Sequence, residues 1–543
     1  VTGFAGQISF AQLTLAGVAG FSVGVLTDKY GVPFPIAPIL AALIAAGVGV
    51  LVGLPALRIR GLPVAIVTLA TAVALEGFWF HNLDFVSVSG QAVEGPTLFG
   101  WQLQSRIGLD YPRPVFALVC LVVLVMVAVG VALLRMSRLG AQMLAVRANE
   151  KSAAGAGIAV VPVKILAFAI GAFIAGLGGS LLAYFQMNVT FATFSVFLGL
   201  TVFATAYLAG ITSVSGGILG GIMGAGGLFA LVLDEGLGFG GDYYPIVAGL
   251  GLILTIMTQP EGIVGPVHTR LDARRRAKLD LAAVAVPPLE GELEPMAPVE
   301  GGEVVLETRA VRVQYGGVVA VDGVDLQARK GTIVGLIGPN GAGKTTLLDA
   351  MSGFTRSTGE VILHGTEISG RKPHQRVRSA LGRTFQHTEL YEDLSVTENV
   401  VVGAAAARGR EPKSIEETLA LLGLEDVAEV PVSELSQGRR QLVSIARALI
   451  GNPEVLLLDE PAGGLDSRES QWLGLRLRKI RDSGVTILLI DHDMHLVLNL
   501  CDDIYVLNFG QVIAHGDPAA IRADRGVAAA YLGTTHAEQE VAL

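Results

Sequence analysis

The run Gly338-Pro339-Asn340-Gly341-Ala342-Gly343-Lys344-Thr345-Thr346 fits G-x-x-x-x-G-K-[ST], the pattern of a phosphate-binding loop. The residue types follow from the chemistry. Glycines let the backbone curl so that its N–H groups point inward at phosphate oxygens. Lys344 carries a positive charge to the β- and γ-phosphates, and the Thr345 hydroxyl offers a ligand to Mg²⁺. The flanks agree. Thr332-Ile333-Val334-Gly335-Leu336-Ile337 reads as a buried strand, and Thr345 to Met351 reads as a helix whose N-terminus faces the anion.

Working outward, the chain has 543 residues, which implies more than one domain. It is 51% hydrophobic and only 16% charged, with a mean hydropathy of +0.57. A soluble enzyme of this size is far less apolar, so the composition points to membrane spans. The net charge of −9 lacks the basic footprint of a nucleic-acid binder. Cys120 and Cys501 lie far apart without metal-ligand spacing, so neither a structural disulfide nor a thiolate metal site is expected.

Before residue 260 eight apolar stretches stand out, at roughly 8–26, 36–56, 62–81, 115–134, 165–187, 197–212, 217–234 and 243–258. Their lengths approach what a bilayer core requires. Glycines such as Gly171 to Gly179 and Gly216 to Gly227 predict close helix contacts. Arg58, Arg60, Arg135, Arg138, Arg147, Lys151, Lys164, Arg270, Arg274, Arg275, Arg276 and Lys278 fall on one side. Asp28, Asp84, Glu94, Asp110, Asp234, Glu235 and Asp242 fall on the other. The basic side is cytoplasmic, and an even number of spans puts both ends of this half there. Trp79, Phe80, Tyr243 and Tyr244 sit at outer span ends, as an aromatic belt would. Glu76 is the one carboxylate well inside a marked span; it either serves transport or reaches the interface. Between the fourth and fifth spans, Gly140 to Lys151 reads as a short amphipathic helix. Residues 140–157 are expected to touch an ATP-binding domain beside Gln386. From Gln259-Pro260-Glu261-Gly262 onward, proline and acidic residues read as a flexible tether.

Beyond residue 303 charge rises and strands alternate with helices, the pattern of an α/β nucleotide-binding domain. Tyr315 is a candidate to stack on adenine, with a core tyrosine as the alternative. Val455-Leu456-Leu457-Leu458-Asp459-Glu460 is an apolar strand ending in two acids: Asp459 for Mg²⁺, Glu460 to polarise an attacking water. Ser436 and the Gly438 backbone open a helix and offer a second anion site; alone, Ser436 would be a simple cap. Gln386 is placed to sense Mg²⁺ or the water, and His492 to meet the γ-phosphate.

In this order, residues 304–533 resemble the ATPase domain of an ABC transporter. The motifs are Tyr315, Walker A Gly338–Thr345, Gln386, signature Leu435-Ser436-Gln437-Gly438-Arg439, Walker B ending at Asp459 and Glu460, D-loop Ala462 to Asp466, and His492. In the signature, Gln437 and Arg439 stand where glycine and glutamine are usual. The closer resemblance is to branched-chain amino-acid ABC importers. Arg383-Thr384-Phe385-Gln386, Leu394 to Val400, Asp491-His492-Asp493-Met494 and Ala530-Tyr531-Leu532-Gly533 resemble their ATPase. Gly6-Gln7-Ile8-Ser9-Phe10-Ala11, Gly53 to Leu62, Ala65 to Ala70, Arg147-Ala148-Asn149-Glu150 and Gln259 to Gly262 resemble their permease.

The resemblance implies a permease fused to its ATPase: an all-α transmembrane domain (1–260), a cytoplasmic linker (261–303), an α/β P-loop NTPase domain (304–535) and a short tail (536–543). It implies ATP and Mg²⁺ as cofactors, with hydrolysis driving import across the cytoplasmic membrane and the ATPase domain in the cytoplasm. Glu460, His492 and Gln386 are the expected catalytic residues. Tyr315, Gly338, Pro339, Asn340, Gly341, Ala342, Gly343, Lys344, Thr345, Thr346, Ser436 and Gly438 are expected to hold nucleotide, and Thr345, Gln386 and Asp459 the metal. Implied partners are a second permease and a second ATPase subunit, or a second copy of this chain, together with an external solute-binding protein and membrane lipid. Nucleic acid is not among them. Gln437 and Arg439 are expected to face the partner's Walker A. Branched-chain amino acids are the implied cargo; urea, short amides and aromatic acids are the alternatives, and an exporter is the more distant one. Family permeases carry further span ahead of Gly6, so an upstream piece is expected to be missing.

Overall fold

A computed structural model describes residues 1–56, 62–82, 86, 90–107, 113–224, 227–228, 232, 244–258, 262–266, 293, 302–386, 389–392, 394–407 and 409–532. The chain divides into two compact units, Val1–Ala148 with Val160–Lys278 and Asn149–Ala159 with Leu279–Leu543.

In the first unit, α1 (Thr2–Ala5), α2 (Gln12–Asp28), α3 (Ile36–Ala56) and α4 (Leu62–Leu75) come first, and α4 continues into a π turn over Glu76–Phe80. Then come α5 (Pro114–Met136) and α6 (Arg138–Ala148). After the excursion of α7 (Glu150–Gly155) into the second unit, α8 (Val160–Gln186), α9 (Val196–Ala209), α10 (Val214–Met223) and α11 (Tyr244–Thr258) follow. Among the described residues five helical stretches are long and apolar enough to cross a membrane: Ile36–Pro55, Pro63–Phe80, Pro114–Met136, Val160–Gln186 and Phe191–Ala209. The other three expected spans correspond to the shorter α2, α10 and α11.

Small residues set the helix spacing. A Cβ on Gly179 of α8 would lie 2.0 Å from the Ala16 carbonyl oxygen of α2. One on Gly176 would lie 2.8 Å from the Ala42 Cα of α3. Backbones this close need glycine. By contrast α5 shows Leu118, Leu121, Val125, Met126 and Leu133 outward, the face a lipid-contacting helix presents.

Two expectations change here, and Glu76 gains a partner. Phe80 is buried and packs on Phe21, ring centroids 4.8 Å apart, so it belongs to the helix core and not to an aromatic belt. The helix expected from Gly140 to Lys151 breaks at Asn149, whose side chain accepts from the Lys151 and Ser152 amides at 2.8 and 3.0 Å. Such a cap starts a new helix in place of continuing the old one. Glu76 Oε2 accepts from the Val196 amide at 2.9 Å, so the carboxylate ties α4 to the first turn of α9. Arg58, Arg60, Asp84, Asp110, Asp234, Glu235, Asp242, Tyr243, Arg270 and the cluster Arg274 to Lys278 lie outside the described residues. So does most of the expected tether, apart from 262–266, Leu293 and 302–303.

Small strands β1 (Gln91–Ala92), β2 (Thr97–Leu98), β3 (Trp101–Gln102) and β4 (Asn188–Val189) decorate the first unit. The second unit is built on two sheets. A four-stranded antiparallel sheet runs in the order β6 (Val318–Arg329), β5 (Val304–Tyr315), β8 (Thr358–Leu363), β9 (Thr366–Glu367). A six-stranded sheet runs in the order β10 (Leu381–Arg383), β11 (Val455–Asp459), β12 (Thr486–Ile490), β7 (Ile333–Ile337), β13 (Asp503–Asn508), β14 (Gln511–Gly516). β7, β11 and β12 are buried throughout, as apolar runs in a parallel sheet covered on both faces must be. One core, including Val311, Leu326, Leu336, Leu457 and Leu488, joins residues of the two sheets. A second, including Leu442, Leu456, Trp472 and Ile487, takes the helices on the other side and includes Leu293.

Candidate functional site

Adjacent parallel strands place the site. β10, β11, β12 and β7 pair in parallel in that order, so their carboxyl ends open along one edge. Gln386 follows β10, Asp459 and Glu460 end β11, His492 follows β12, and Gly338 follows β7. In open α/β sheets this carboxyl edge is where ligands bind.

The glycine-rich loop turns from β7 into α12 (Lys344–Ser352). Gly338 has φ +146° and Gly343 φ +101°. A Cβ on either would come within 2.0 Å of the Leu507 carbonyl or 2.3 Å of the Ala320 carbonyl. No side chain caps α12, which leaves its first amides for an anion. Lys344 is 6% exposed, and its Nζ donates to the Gly338 and Pro339 carbonyls at 2.7 and 3.0 Å. Burial lowers its pKa, against the opposing pull of Glu460 and Asp459. A cation held inside a ring of backbone fits a phosphate chain.

Thr345 Oγ1 donates to Asp459 Oδ1 at 3.3 Å. Asp459 is 1% exposed, and burial raises its pKa while Arg383 pulls the other way. A hydroxyl beside a buried carboxylate is a hard-oxygen donor pair suited to Mg²⁺. One residue on, Glu460 holds φ +49°, an uncommon conformation for a non-glycine residue. Gln386 Nε2 donates to its Oε2 at 2.7 Å, and His492 Nε2 lies 2.8 Å from its Oε1. Two of the expected catalytic residues, Gln386 and His492, therefore converge on the carboxylate of the third. Tyr315 is 53% exposed, and its hydroxyl pairs with Thr355 Oγ1 at 2.8 Å, leaving ring surface open to stacking.

Ser436 caps the helix Gln437–Leu449, and its Oγ accepts from the Arg439 amide at 3.4 Å. The Gly438 amide faces Glu469 Oε1 at 3.4 Å. The expected outward role of Arg439 is corrected. Its side chain is 2% exposed and forks onto Asp426, Nη1 to Oδ1 at 2.9 Å and Nη2 to Oδ2 at 2.8 Å. The carboxylate thirteen residues upstream draws the guanidinium inward, and only Gln437 stays exposed.

Several organising residues carry no role in the sequence reading. Asp491 is buried and accepts from the Ala462, His492 and Asp493 amides at 2.9, 2.8 and 3.0 Å. It thus holds the D-loop and His492 together; its place beside His492 was the available signal. Burial raises its pKa against those three amides. Arg383, within the quoted Arg383–Gln386 phrase, is buried between Asp349 and Asp459.

Of the expected contact over residues 140–157, only the part from Asn149 folds with this unit, as Asn149–Ala159; residues 140–148 stay with the first. Ser152 Oγ donates to the Glu389 carbonyl at 3.1 Å, and a Cβ on Gly155 would meet Phe385 at 2.7 Å. Arg378 Nε donates to the Gly157 carbonyl at 3.0 Å.

Family models and sequence relatives agree with this architecture. Residues 1–256 match the family model of the permease component of the branched-chain amino acid transport system. Residues 321–463 match that of ABC transporters, and residues 511–537 that of the branched-chain amino acid ATP-binding cassette transporter. The ATP-binding protein BraF of Pseudomonas aeruginosa, for high-affinity branched-chain amino acid transport, is 36% identical over 249 residues, 42% of this chain and 98% of that protein. LivG of Escherichia coli is 35% identical over the same length. A crystal structure of a nucleotide-free ATP-binding cassette from an ABC transporter is 29% identical, with a TM-score of 0.39, covering 42% of this chain and 100% of that one. A permease domain, with five membrane-length helices among the described residues, and an ATP-binding, ATP-hydrolysing cassette lie in one polypeptide, and the chain belongs to the branched-chain amino acid ABC transporter family as a multi-pass inner-membrane permease fused to its cytoplasmic ATPase.

Proposed function

We propose that this chain is one half of an importer that drives branched-chain amino acids inward with ATP, its permease within residues 1–260 and its ATPase within 304–535. The carrying observation is the convergence of Gln386 and His492 on the two oxygens of Glu460, next to Thr345 and Asp459. The cargo reading is supported by the permease model over residues 1–256 and by the names of BraF and LivG.

In this reading Tyr315 stacks on adenine, and Gly338 to Thr346 wrap the phosphates. Lys344 leaves its two carbonyls for the β- and γ-phosphates. Thr345, Asp459 and Gln386 would hold Mg²⁺, which would supply charge neutralisation at the phosphates. Glu460 orients a water and takes its proton, while Gln386 and His492 keep the carboxylate aimed. Ser436 and Gly438 serve a nucleotide held by a second ATPase domain, since this chain has one phosphate loop and one signature. A second permease completes the path, and an external binding protein delivers the cargo.

The test is uptake. Proteoliposomes holding this chain and its partner chains with the cassettes inside, and the cognate binding protein outside, are expected to accumulate labelled leucine only with ATP in the lumen. Accumulation of urea or an aromatic acid without competition by leucine would replace the cargo reading.

A further inference from the structure

Between α6 and α8 the chain leaves the first unit for eleven residues, Asn149–Ala159, and folds with the second. Lys151 in that segment ends on a row of charges. Its Nζ lies 3.6 Å from Asp349 Oδ2. It also stands 5.5 and 5.3 Å from the ring centroids of Phe354 and Phe385. The other oxygen of the same carboxylate, Asp349 Oδ1, meets Arg383 Nη2 at 2.7 Å. That nitrogen is 3.6 Å from Asp459 Oδ2. The Arg383 side chain is 1% exposed, its Nη1 donates to Ser352 Oγ, and its Cζ lies 5.4 and 4.9 Å from the same two rings.

The charges alternate: Lys151, Asp349, Arg383, Asp459. Two phenyl rings, 5.4 Å apart and near perpendicular, face both cations and limit where each can move. The two carboxylates share Arg383 unequally: its Nη2 is 2.7 Å from Asp349 and 3.6 Å from Asp459. Away from solvent, such a competition is weakly screened.

We propose that Lys151–Asp349–Arg383–Asp459 is an ionic relay through which the segment joining two membrane-unit helices senses whether a divalent cation occupies Asp459. The relay rests on the nucleotide-site reading above. A cation at Asp459 takes that carboxylate's charge and repels Arg383. The guanidinium then leans on Asp349, and Asp349 loosens its hold on Lys151. Linkage makes the effect reciprocal. With Lys151 drawing on Asp349, Arg383 has more attraction left for Asp459 and competes with the cation; without Lys151, it competes less.

The experiment uses the full chain in lipid nanodiscs and the binding of a fluorescent ATP analogue, titrated with Mg²⁺. Lys151→Ala is expected to lower the Mg²⁺ midpoint by about two- to fivefold, the range for a half-exposed pair coupled to a buried one. Binding in EDTA should be unchanged, which shows that the variant folds. In an Asp349→Asn background, Lys151→Ala should shift nothing further. Ser152→Ala, which touches the Glu389 carbonyl and not the row, should leave the midpoint in place. An unmoved midpoint in Lys151→Ala overturns the relay, as does an equal shift in the Asp349→Asn background or in Ser152→Ala. Wild-type binding without any Mg²⁺ dependence would bring down the nucleotide-site reading, and the relay with it; normal wild-type behaviour beside a silent Lys151→Ala sinks the relay alone.

Discussion

Replacing Glu460 by glutamine removes one oxygen's charge and almost nothing else. The side chain keeps its length and can still accept from Gln386 Nε2, which now lies 2.7 Å from Oε2. His492 Nε2, 2.8 Å from Oε1, can accept from the new amide in its other tautomer. Because His492 is 44% exposed, any weakening of this contact costs at most about 1 kcal/mol of stability. Catalysis should suffer far more. A positioned general base contributes about 10²–10⁴-fold, so ATP turnover should fall by that factor, roughly 3–5 kcal/mol in the barrier. ATP affinity should hold, since Lys344 and the loop amides are untouched. Lys344→Ala is the contrast: it deletes the buried cation that bonds the Gly338 and Pro339 carbonyls, so binding itself should weaken. Equilibrium ATP binding and single-turnover hydrolysis, measured on both variants, decide the matter. Equal losses of ATP affinity in the two, or near-normal turnover in Glu460→Gln, would refute the division of roles.

Asp491→Asn turns an amide NH₂ toward the Ala462 amide or toward those of His492 and Asp493, all within 3.0 Å of the present oxygens; hydrogen exchange at one of these amides should rise while ATP still binds. Asp426→Ala removes the carboxylate on which the buried Arg439 forks and should cost about 1–2 kcal/mol in denaturant unfolding, discounted because Asp426 is 45% exposed. Gly179→Leu drives a side chain into the Ala16 carbonyl and should part α2 from α8, lowering thermal stability in detergent by about 1–3 kcal/mol. Burial holds the Cys501 thiol far above its ordinary pKa, so in a Cys120→Ser background maleimide labelling should stay negligible from pH 7 to about 9 until the protein unfolds.

Features held by neighbouring residues were legible in the sequence. The phosphate loop sits between an apolar run and a helix in the chain itself, and Asp459 and Glu460 close a continuous apolar strand. Features that needed distant partners were not. Arg439 turns inward because Asp426 is folded against it. Phe80 leaves the membrane rim because Phe21 and Phe194 receive it near the glycine-lined face of α2. The partner of Glu76 is an amide 120 residues away. Arg383 matters only once β10 and β11 pair and bring it to Asp459, while α12 supplies Asp349. The break at Asn149 is the exception, because an asparagine ahead of Glu150-Lys151-Ser152 is itself a helix-start signal.

The most direct test of the half-importer reading is ATPase rate against protein concentration, for the purified chain alone and with candidate partner chains plus binding protein. The expected result is negligible hydrolysis from the chain at high dilution, and binding-protein-stimulated hydrolysis once a second permease and ATPase are present. A rate that rises with the chain's own concentration would make the second half another copy of it. Full stimulated activity from a dilute monomer would contradict the reading outright.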